Sequence, residues 1–228
     1  MKRQDVALTI NRAFTRPSEA LIREFMGIPT GNVCDAQGRV GALDYRIKPV
    51  TTMAAFTGVA LTVDAGPRDN LAPWAALEIA EAGDVIVIAT REHLACSVIG
   101  DVYVGMAKNA GIKAIVTDGV VRDVAGLNAV GIPVFAMGVS PNSPWKNGPG
   151  NIGLSVVVGG VTMNTGDIVV GDSDGVVRVP HQHAPEVAKE LKAVRAKEEG
   201  MEADVEAGHV VPGWLAEAKE KRGVRYLD

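Results

Sequence analysis

Gly100–Asp123 reads GDVYVGMAKNAGIKAIVTDGVVRD, and its parts decide the fold class. Over Gly100–Ala110, the residues Val102, Met106 and Ala110 recur at i, i+4 spacing, one face of a helix that Gly111 ends. Lys113–Thr117 is then a short apolar run of strand length, and Asp118-Gly119 turns the chain. A helix feeding a strand through so short a connection is a unit of an alternating α/β chain with parallel pairing in part.

The same alternation extends on both sides. Upstream, Phe56–Asp64 (FTGVALTVD) is rich in Val and Thr and reads as a strand. Pro73–Ala82 reads as a helix stopped by Gly83, and Asp84–Ala89 (DVIVIA) as a buried strand. Before them, 16–26 places Leu21, Ile22 and Phe25 on one helical face behind Pro17 and Ser18, and a short helix over 30–37 ends at Gly38. Downstream, 124–129 reads as a helix and Ile132–Met137 as a strand. Past residue 140 the texture changes. Pro141–Gly153 is a Gly/Pro/Asn loop, and Ser155–Val161, Asp167–Val170 and Gly175–Val179 form a β-meander divided by Gly-Asp and Asp-Gly turns. A charged helix over 185–206 and a tail to Asp228 close the chain. No repeat of 20–50 residues recurs, so the reading is one α/β domain, a core over 1–184 with a C-terminal helical arm over 185–228.

Composition narrows the function classes. The 228 residues include 33 Val, 30 Ala and 26 Gly but only 4% aromatics, so strands and closely packed helices are well supplied and base-stacking platforms are not. A hydrophobic fraction of 47% supplies enough apolar surface to fold, while no apolar run is long enough to span a bilayer. The net charge of −4 brings no dominant basic patch, which argues against a nucleic-acid partner. Cys34 and Cys96 form neither a disulfide framework nor a Cys-x-x-Cys metal site. Met1–Asp5 is not followed by an apolar leader core, so the expected compartment is a reduced cytoplasm.

Three patterns invite a chemical reading. Gly148–Gly153 matches G-x-G-x-x-G, but a polar loop precedes it and a Val-rich strand follows, the wrong context for dinucleotide binding. His181 and His183 stand two apart after Pro180 without a third ligand nearby, and read as solvated side chains; His93 and His209 are isolated. The opening stretch differs. Asp101 stands beside Gly100 in the first turn of a helix, where free N–H groups make a receptor for a carboxylate. If the loop carrying Arg122-Asp123 folds back over that helix start, two carboxylates and a guanidinium converge. Such oxygen donors suit Mg²⁺ or Mn²⁺, and the guanidinium suits a carboxylate or an enolate. A surface ion pair beside an ordinary helix-end charge explains the same spacing, and the spacing leaves both readings open.

The residues now on view resemble the 4-hydroxy-4-methyl-2-oxoglutarate aldolase family, class II pyruvate aldolases related to the regulator of ribonuclease activity A. The resemblance covers about 28–228. It runs through Asn32–Ala36, Gly58–Val63, Asp69-Asn70 and Ala82–Val87 to its most specific block, Gly100-Asp101, Asp118-Gly119 and Arg122-Asp123. Beyond that block lie Gly159–Val161, Gly166–Val170, Asp172–Val177 and the closing Gly223–Asp228, which is similar to the aldolase branch.

The family implies β-sheets packed between helical layers, an αββα-like sandwich, assembled as homotrimers or homohexamers. It implies Asp123 as the direct ligand of a divalent metal, Mg²⁺ or Mn²⁺, and Asp101 as the holder of water on that metal. Arg122 would contact the substrate's keto oxygen and the enolate. Backbone N–H groups at Val102 and Tyr103 would take the pyruvyl carboxylate, with Gly100 beside them among the substrate-binding residues. Glu198, with Glu199 as the near alternative, would complete a neighbouring subunit's site. The implied reaction is cleavage of 4-hydroxy-4-methyl-2-oxoglutarate or 4-carboxy-4-hydroxy-2-oxoadipate to pyruvate and a second oxo acid, with decarboxylation of oxaloacetate through the same enolate. The alternatives are a non-catalytic regulator that binds a ribonuclease and a decarboxylase of another oxo acid. Two departures stand out: Tyr103, where aliphatic residues are usual and which would reshape the pocket wall, and Gly200–Val205 (GMEADV), where a basic stretch is usual.

Overall fold

The computed structural model describes residues 6–227; the N-terminal leader reading at Met1–Asp5 and the last residue of the closing motif, Asp228, lie outside them. In chain order the strands are β1 (Leu8–Ile10), β2 (Lys48–Pro49), β3 (Phe56–Asp64), β4 (Asp84–Ala89), β5 (Ala114–Thr117), β6 (Val120–Val121), β7 (Val134–Ala136), β8 (Gly138–Val139), β9 (Gly150–Ile152), β10 (Val156–Val158), β11 (Val161–Met163), β12 (Ile168–Asp172) and β13 (Gly175–Val179). The helices are α1 (Glu19–Arg23), α2 (Thr30–Ala36), α3 (Leu71–Ala76), α4 (Asp101–Asn109), α5 (Val124–Val130), α6 (Ala184–Glu206) and α7 (Trp214–Arg222).

The main sheet has nine strands, with β3, β4, β5 and β7 side by side and parallel. β3 is long enough to serve two neighbours on its other edge. Its first half pairs antiparallel with β12 and its last two residues with β9. The period of two along each central strand sorts side chains into two layers. Leu61, Val63, Ile86, Ile88, Ile115 and Val134 face α3, α4 and α5 in one core cluster, where Tyr103, Val104, Ala107 and Leu127 meet them. Ala60, Val85, Val87, Val116 and Phe135 face the opposite way, against Val156, Val158 and Met163 of the β10–β11 hairpin and Val169 and Val176 of β12 and β13. The other faces of β12 and β13 carry Ile168, Val170, Val177 and Val179 into a third cluster with α2 and the start of α6. The layers are therefore helix, sheet, sheet, helix, as the sandwich expectation has it. All six side chains of β4 are buried because layers cover both its faces, which is why DVIVIA shows no alternation.

The differences from the sequence reading are local. β9 lies inside the stretch read as loop, and Gly159-Gly160 split the single strand expected over Ser155–Val161 into the β10–β11 hairpin. The helix expected over Pro73–Ala82 starts earlier and ends at Ala76, and the tail contains α7. Ala184, Val187, Ala188 and Leu191 of α6 are buried in the third cluster, so the first turns of the arm belong to the core, and no side chain of α6 beyond Leu191 is buried. α7 buries no side chain, and no helix among the described residues is long and apolar enough to cross a membrane.

Candidate active site

The loops leaving the carboxyl ends of β3, β4 and β5 meet over the start of α4. Open α/β sheets bind ligands at this end, because several connections converge there with free backbone groups. They enclose a cleft of about 100 Å³ that Asn70, Gly100, Asp101, Arg122, Asp123 and Lys146 help to line. The convergence that spacing left open is thus present within one chain.

Gly100 holds the place before α4 in extended backbone, φ −141° and ψ −168°, a conformation open to any residue. The site needs glycine there for space. A Cβ at 100 would collide with Asp123 Oδ2 and press on Arg122. Gly126 of α5 does the same for the other carboxylate, since a Cβ there would strike Asp101 Oδ2. Two absent side chains let both acids lie against the helix start. Gly126 was not singled out by sequence reasoning, and its only signal is a glycine within a helical stretch.

Asp123 sits in the left-handed region, φ 62° and ψ 44°, immediately before α5. A non-glycine residue pays for that conformation, and such strain persists where the surrounding structure fixes it. Here the Leu127 N–H donates to the Asp123 carbonyl at 2.9 Å, and Arg122 Nε donates to Asp123 Oδ2 at 3.1 Å. Adjacent residues thus serve one site through an irregular turn, as the sequence reading required. The Arg122 N–H donates to the Ile99 carbonyl at 3.2 Å, and its Nη1 donates to Ser143 Oγ. Among the described residues Nη2 of Arg122 makes no hydrogen bond, so one donor edge of a residue that lines the cleft is uncommitted. Ser143 and Lys146 come from the long loop before β9 and had no motif to announce them.

At the start of α4, Asp101 Oδ1 accepts the Val102 N–H at 2.7 Å, so one of the two backbone donors expected for a carboxylate is already engaged. The Tyr103 N–H remains among the orphan donors of the first turn. The Tyr103 side chain corrects another expectation. It is 1% exposed, stacks edge-on against Trp74 at 5.1 Å between centroids, and donates its hydroxyl to the Pro73 carbonyl at 3.0 Å. Tyr103 is among the residues that line the cleft, but its side chain is packed in the core, and burial holds its phenol well above the ordinary tyrosine range. Asp118, also buried, pins the preceding loop by accepting from Thr90 N, Thr90 Oγ1 and Glu92 N at 2.6, 3.0 and 3.1 Å. Burial pushes its carboxyl up while those bonds oppose the shift.

Glu198 lies elsewhere. It lines a groove of about 980 Å³ between α2 and α6, where the buried Asn32 donates its side-chain amide to Glu198 Oε2. Glu199 faces the other side of α6, beside Glu24 and Lys192. Neither reaches the cleft of its own chain. His181 and His183 form a single 3₁₀ turn, and the Gly148–Gly153 segment runs into β9 without opening a helix. Among the described residues no three His, Cys, Asp or Glu side chains cluster, so the cleft offers two carboxylates and not a closed cage. That donor set fits Mg²⁺ or Mn²⁺, which accept one or two protein carboxylates and complete their shell with water and substrate.

The sequence profile of the RraA-like family, Aldolase/RraA, matches residues 30–178. The chain belongs to that family. It is 36% identical over 181 residues, 79% of this chain and 86% of the other, to a protein of Halalkalibacterium halodurans provisionally named a 4-hydroxy-4-methyl-2-oxoglutarate aldolase. Among solved structures it is similar to an uncharacterized protein from Pseudomonas syringae pv. tomato, with TM-score 0.75 and 28% identity, covering 86% of this chain and 96% of that one. It is also similar to RraAS2 of Streptomyces coelicolor, described as an unusual member of the RNase ES inhibitor RraA family, with TM-score 0.74 and 28% identity over 82% of this chain and 99% of that one. As an Aldolase/RraA protein it stands between an aldolase and a regulator, and the cleft bears on the choice.

Proposed function

We propose that this Aldolase/RraA protein is a divalent-cation-dependent lyase that cleaves a 4-hydroxy-2-oxo acid, of the 4-hydroxy-4-methyl-2-oxoglutarate or 4-carboxy-4-hydroxy-2-oxoadipate type, to pyruvate and a second oxo acid. The observation that carries the reading is the meeting of Asp101, Arg122 and Asp123 at a helix start in one cleft. Binding to a ribonuclease would need none of them in a cleft.

Asp123 and Asp101 would hold Mg²⁺ or Mn²⁺, which supplies Lewis acidity to the oxygens of the oxo acid. The first turn of α4 receives the C1 carboxylate on the Tyr103 N–H and the positive helix end. Arg122 presents its Nη2 edge to the C2 keto oxygen. Asp101 orients water to receive the C4 hydroxyl proton. The C3–C4 bond then breaks, its electron pair moves toward C2, and Arg122 stabilises the resulting pyruvate enolate by a charge-assisted hydrogen bond. Protonation at C3 gives pyruvate. No lysine forms a Schiff base in this scheme. Loss of CO₂ from oxaloacetate gives the same enolate, so the same groups would serve decarboxylation. Glu198 lies on α6 outside its own cleft and bonded to Asn32, and in a homotrimer or homohexamer it would serve a neighbouring copy's site by leaving that bond.

The test is pyruvate release measured with lactate dehydrogenase and NADH. Activity with Mg²⁺ or Mn²⁺ that EDTA abolishes supports the proposal; full activity in EDTA, or no activity on either substrate type, rejects it. Because RraAS2 is described as an unusual member of an RNase ES inhibitor family, an inactive protein that instead captures a ribonuclease would identify the chain as a regulator.

A further inference from the structure

The charged side chains that line the cleft are Asp101, Asp123, Arg122 and Lys146. The first three are already engaged: Arg122 Nε donates to Asp123 Oδ2, and Asp101 Oδ1 accepts from the Val102 N–H. Lys146 is the exception. Among the described residues its exposed side chain makes no hydrogen bond and no ion pair. Asp69, the acid held against the same loop, is buried and spends both oxygens on backbone donors. Its Oδ1 accepts from the Leu71 N–H at 2.8 Å and its Oδ2 from the Asn147 N–H at 2.6 Å. The backbone that carries Lys146 is therefore fixed on its far side by Asn147. On the near side the Trp145 N–H donates to the Arg68 carbonyl at 2.7 Å, and the Trp145 carbonyl accepts from the Asn70 N–H at 3.0 Å. Lys146 is a bend between these anchors. Pro144 and Lys146 line the cleft, whereas Trp145 between them does not and is 64% exposed. A cation whose backbone is already held in place loses less freedom when it binds than one on a loose loop.

In the lyase reading the C1 carboxylate goes to the start of α4 and the keto oxygen to Arg122. Both proposed substrates carry a further carboxylate on C4, and of the charged side chains in the cleft only Lys146 is left to meet it. We infer that Lys146 is the specificity-determining residue that pairs with the C4 carboxylate, so that the cleft selects oxo acids bearing this second carboxylate over those that lack it. The inference rests on the lyase reading. An ammonium suits the task, because a point charge on a flexible stem can follow a carboxylate whose carbon changes geometry as the C3–C4 bond breaks. That carboxylate keeps its charge throughout the reaction, so the contact binds ground state and transition state alike and belongs in KM.

The experiment follows two reactions in wild type, Lys146→Met and Lys146→Arg. One is pyruvate release from 4-hydroxy-4-methyl-2-oxoglutarate, which carries the C4 carboxylate. The other is exchange of the pyruvate methyl protons in D₂O, read by NMR, which is the final protonation at C3 run in reverse and involves no second carboxylate. The expected result for Lys146→Met is a fall of about 10- to 100-fold in kcat/KM for cleavage, chiefly through KM, with exchange within about twofold of wild type. Lys146→Arg keeps the charge and should recover most of the loss. Equal losses in both reactions would place Lys146 on the pyruvyl half of the site, and no loss in either would make it a solvated surface charge. Both outcomes overturn the carboxylate contact while leaving the lyase reading intact. Retained exchange shows that a variant is folded; if Lys146→Met is not, Lys146→Gln decides by the same ratio of rates. A wild type inactive in both reactions overturns the lyase reading, and the inference with it.

Discussion

Gly100 shows how a site is written in space and not in charge. Its backbone angles suit alanine, yet an added methyl would occupy the position of an Asp123 carboxylate oxygen. Gly100→Ala should therefore fold, with a change in stability within about 1 kcal/mol. It should lose activity on the order of 10²-fold, because the carboxylate must move. Thermal unfolding and steady-state rates on one preparation check both halves. Arg122→Ala should lower kcat by on the order of 10²–10³ while leaving the melting temperature near that of wild type, since the side chain is a third exposed and works on the substrate, not the core. Tyr103→Phe makes the reverse case. It removes the 3.0 Å bond to the Pro73 carbonyl, should cost about 0.5–1.5 kcal/mol in denaturant unfolding, and should leave kcat and KM close to wild type. A large change in KM would restore Tyr103 as a pocket wall.

At the scale of elements, the long apolar or periodic ones were legible. Phe56–Asp64, Asp84–Ala89 and Gly175–Val179 have the bounds that the sequence reading assigned, because continuous Val-rich runs between turn residues leave few other solutions. Of the two- and three-residue strands, β7 and β10 lie within strands read over Ile132–Met137 and Ser155–Val161, and most of the others were not legible. β6, β8 and β9 are too short for a period, and they exist because neighbouring strands offer edges. The site followed the same division. Asp101, Arg122 and Asp123 stood out by type and spacing, which left a surface ion pair as an equal reading until the resemblance favoured a site. Trp74, Ser143 and Lys146 enter the cleft through tertiary folding of separate segments with nothing local to mark them, while Asn70 was marked only as part of the Asp69-Asn70 resemblance. Asp118 belongs to this scale because its three bonds hold the loop after β4 in place. In Asp118→Asn the amide can accept from Thr90, but its NH₂ then faces the Glu92 N–H, and the mismatch should cost about 1–3 kcal/mol in chemical denaturation.

The whole molecule divides into a closed sandwich and an arm whose first turns the core buries and whose remainder stays largely exposed. Beyond Leu191, α6 carries Glu198 away from its own cleft, and α7 adds no buried side chain. If the arm completes a neighbour's site, two inactive proteins should repair each other. Mixing Glu198→Ala with Asp123→Ala, followed by subunit exchange, should return measurable activity, because some hybrid sites receive Asp123 from one chain and Glu198 from another. A mixture no more active than its parts would confine the chemistry to a single chain. The measurement that bears most directly on the central claim is cation-dependent pyruvate release from 4-hydroxy-4-methyl-2-oxoglutarate by wild type and Asp123→Ala. The account predicts turnover by the wild type that EDTA removes and Mg²⁺ or Mn²⁺ restores, with Asp123→Ala inactive under every condition. Wild-type rates from Asp123→Ala, or turnover indifferent to EDTA, would contradict it.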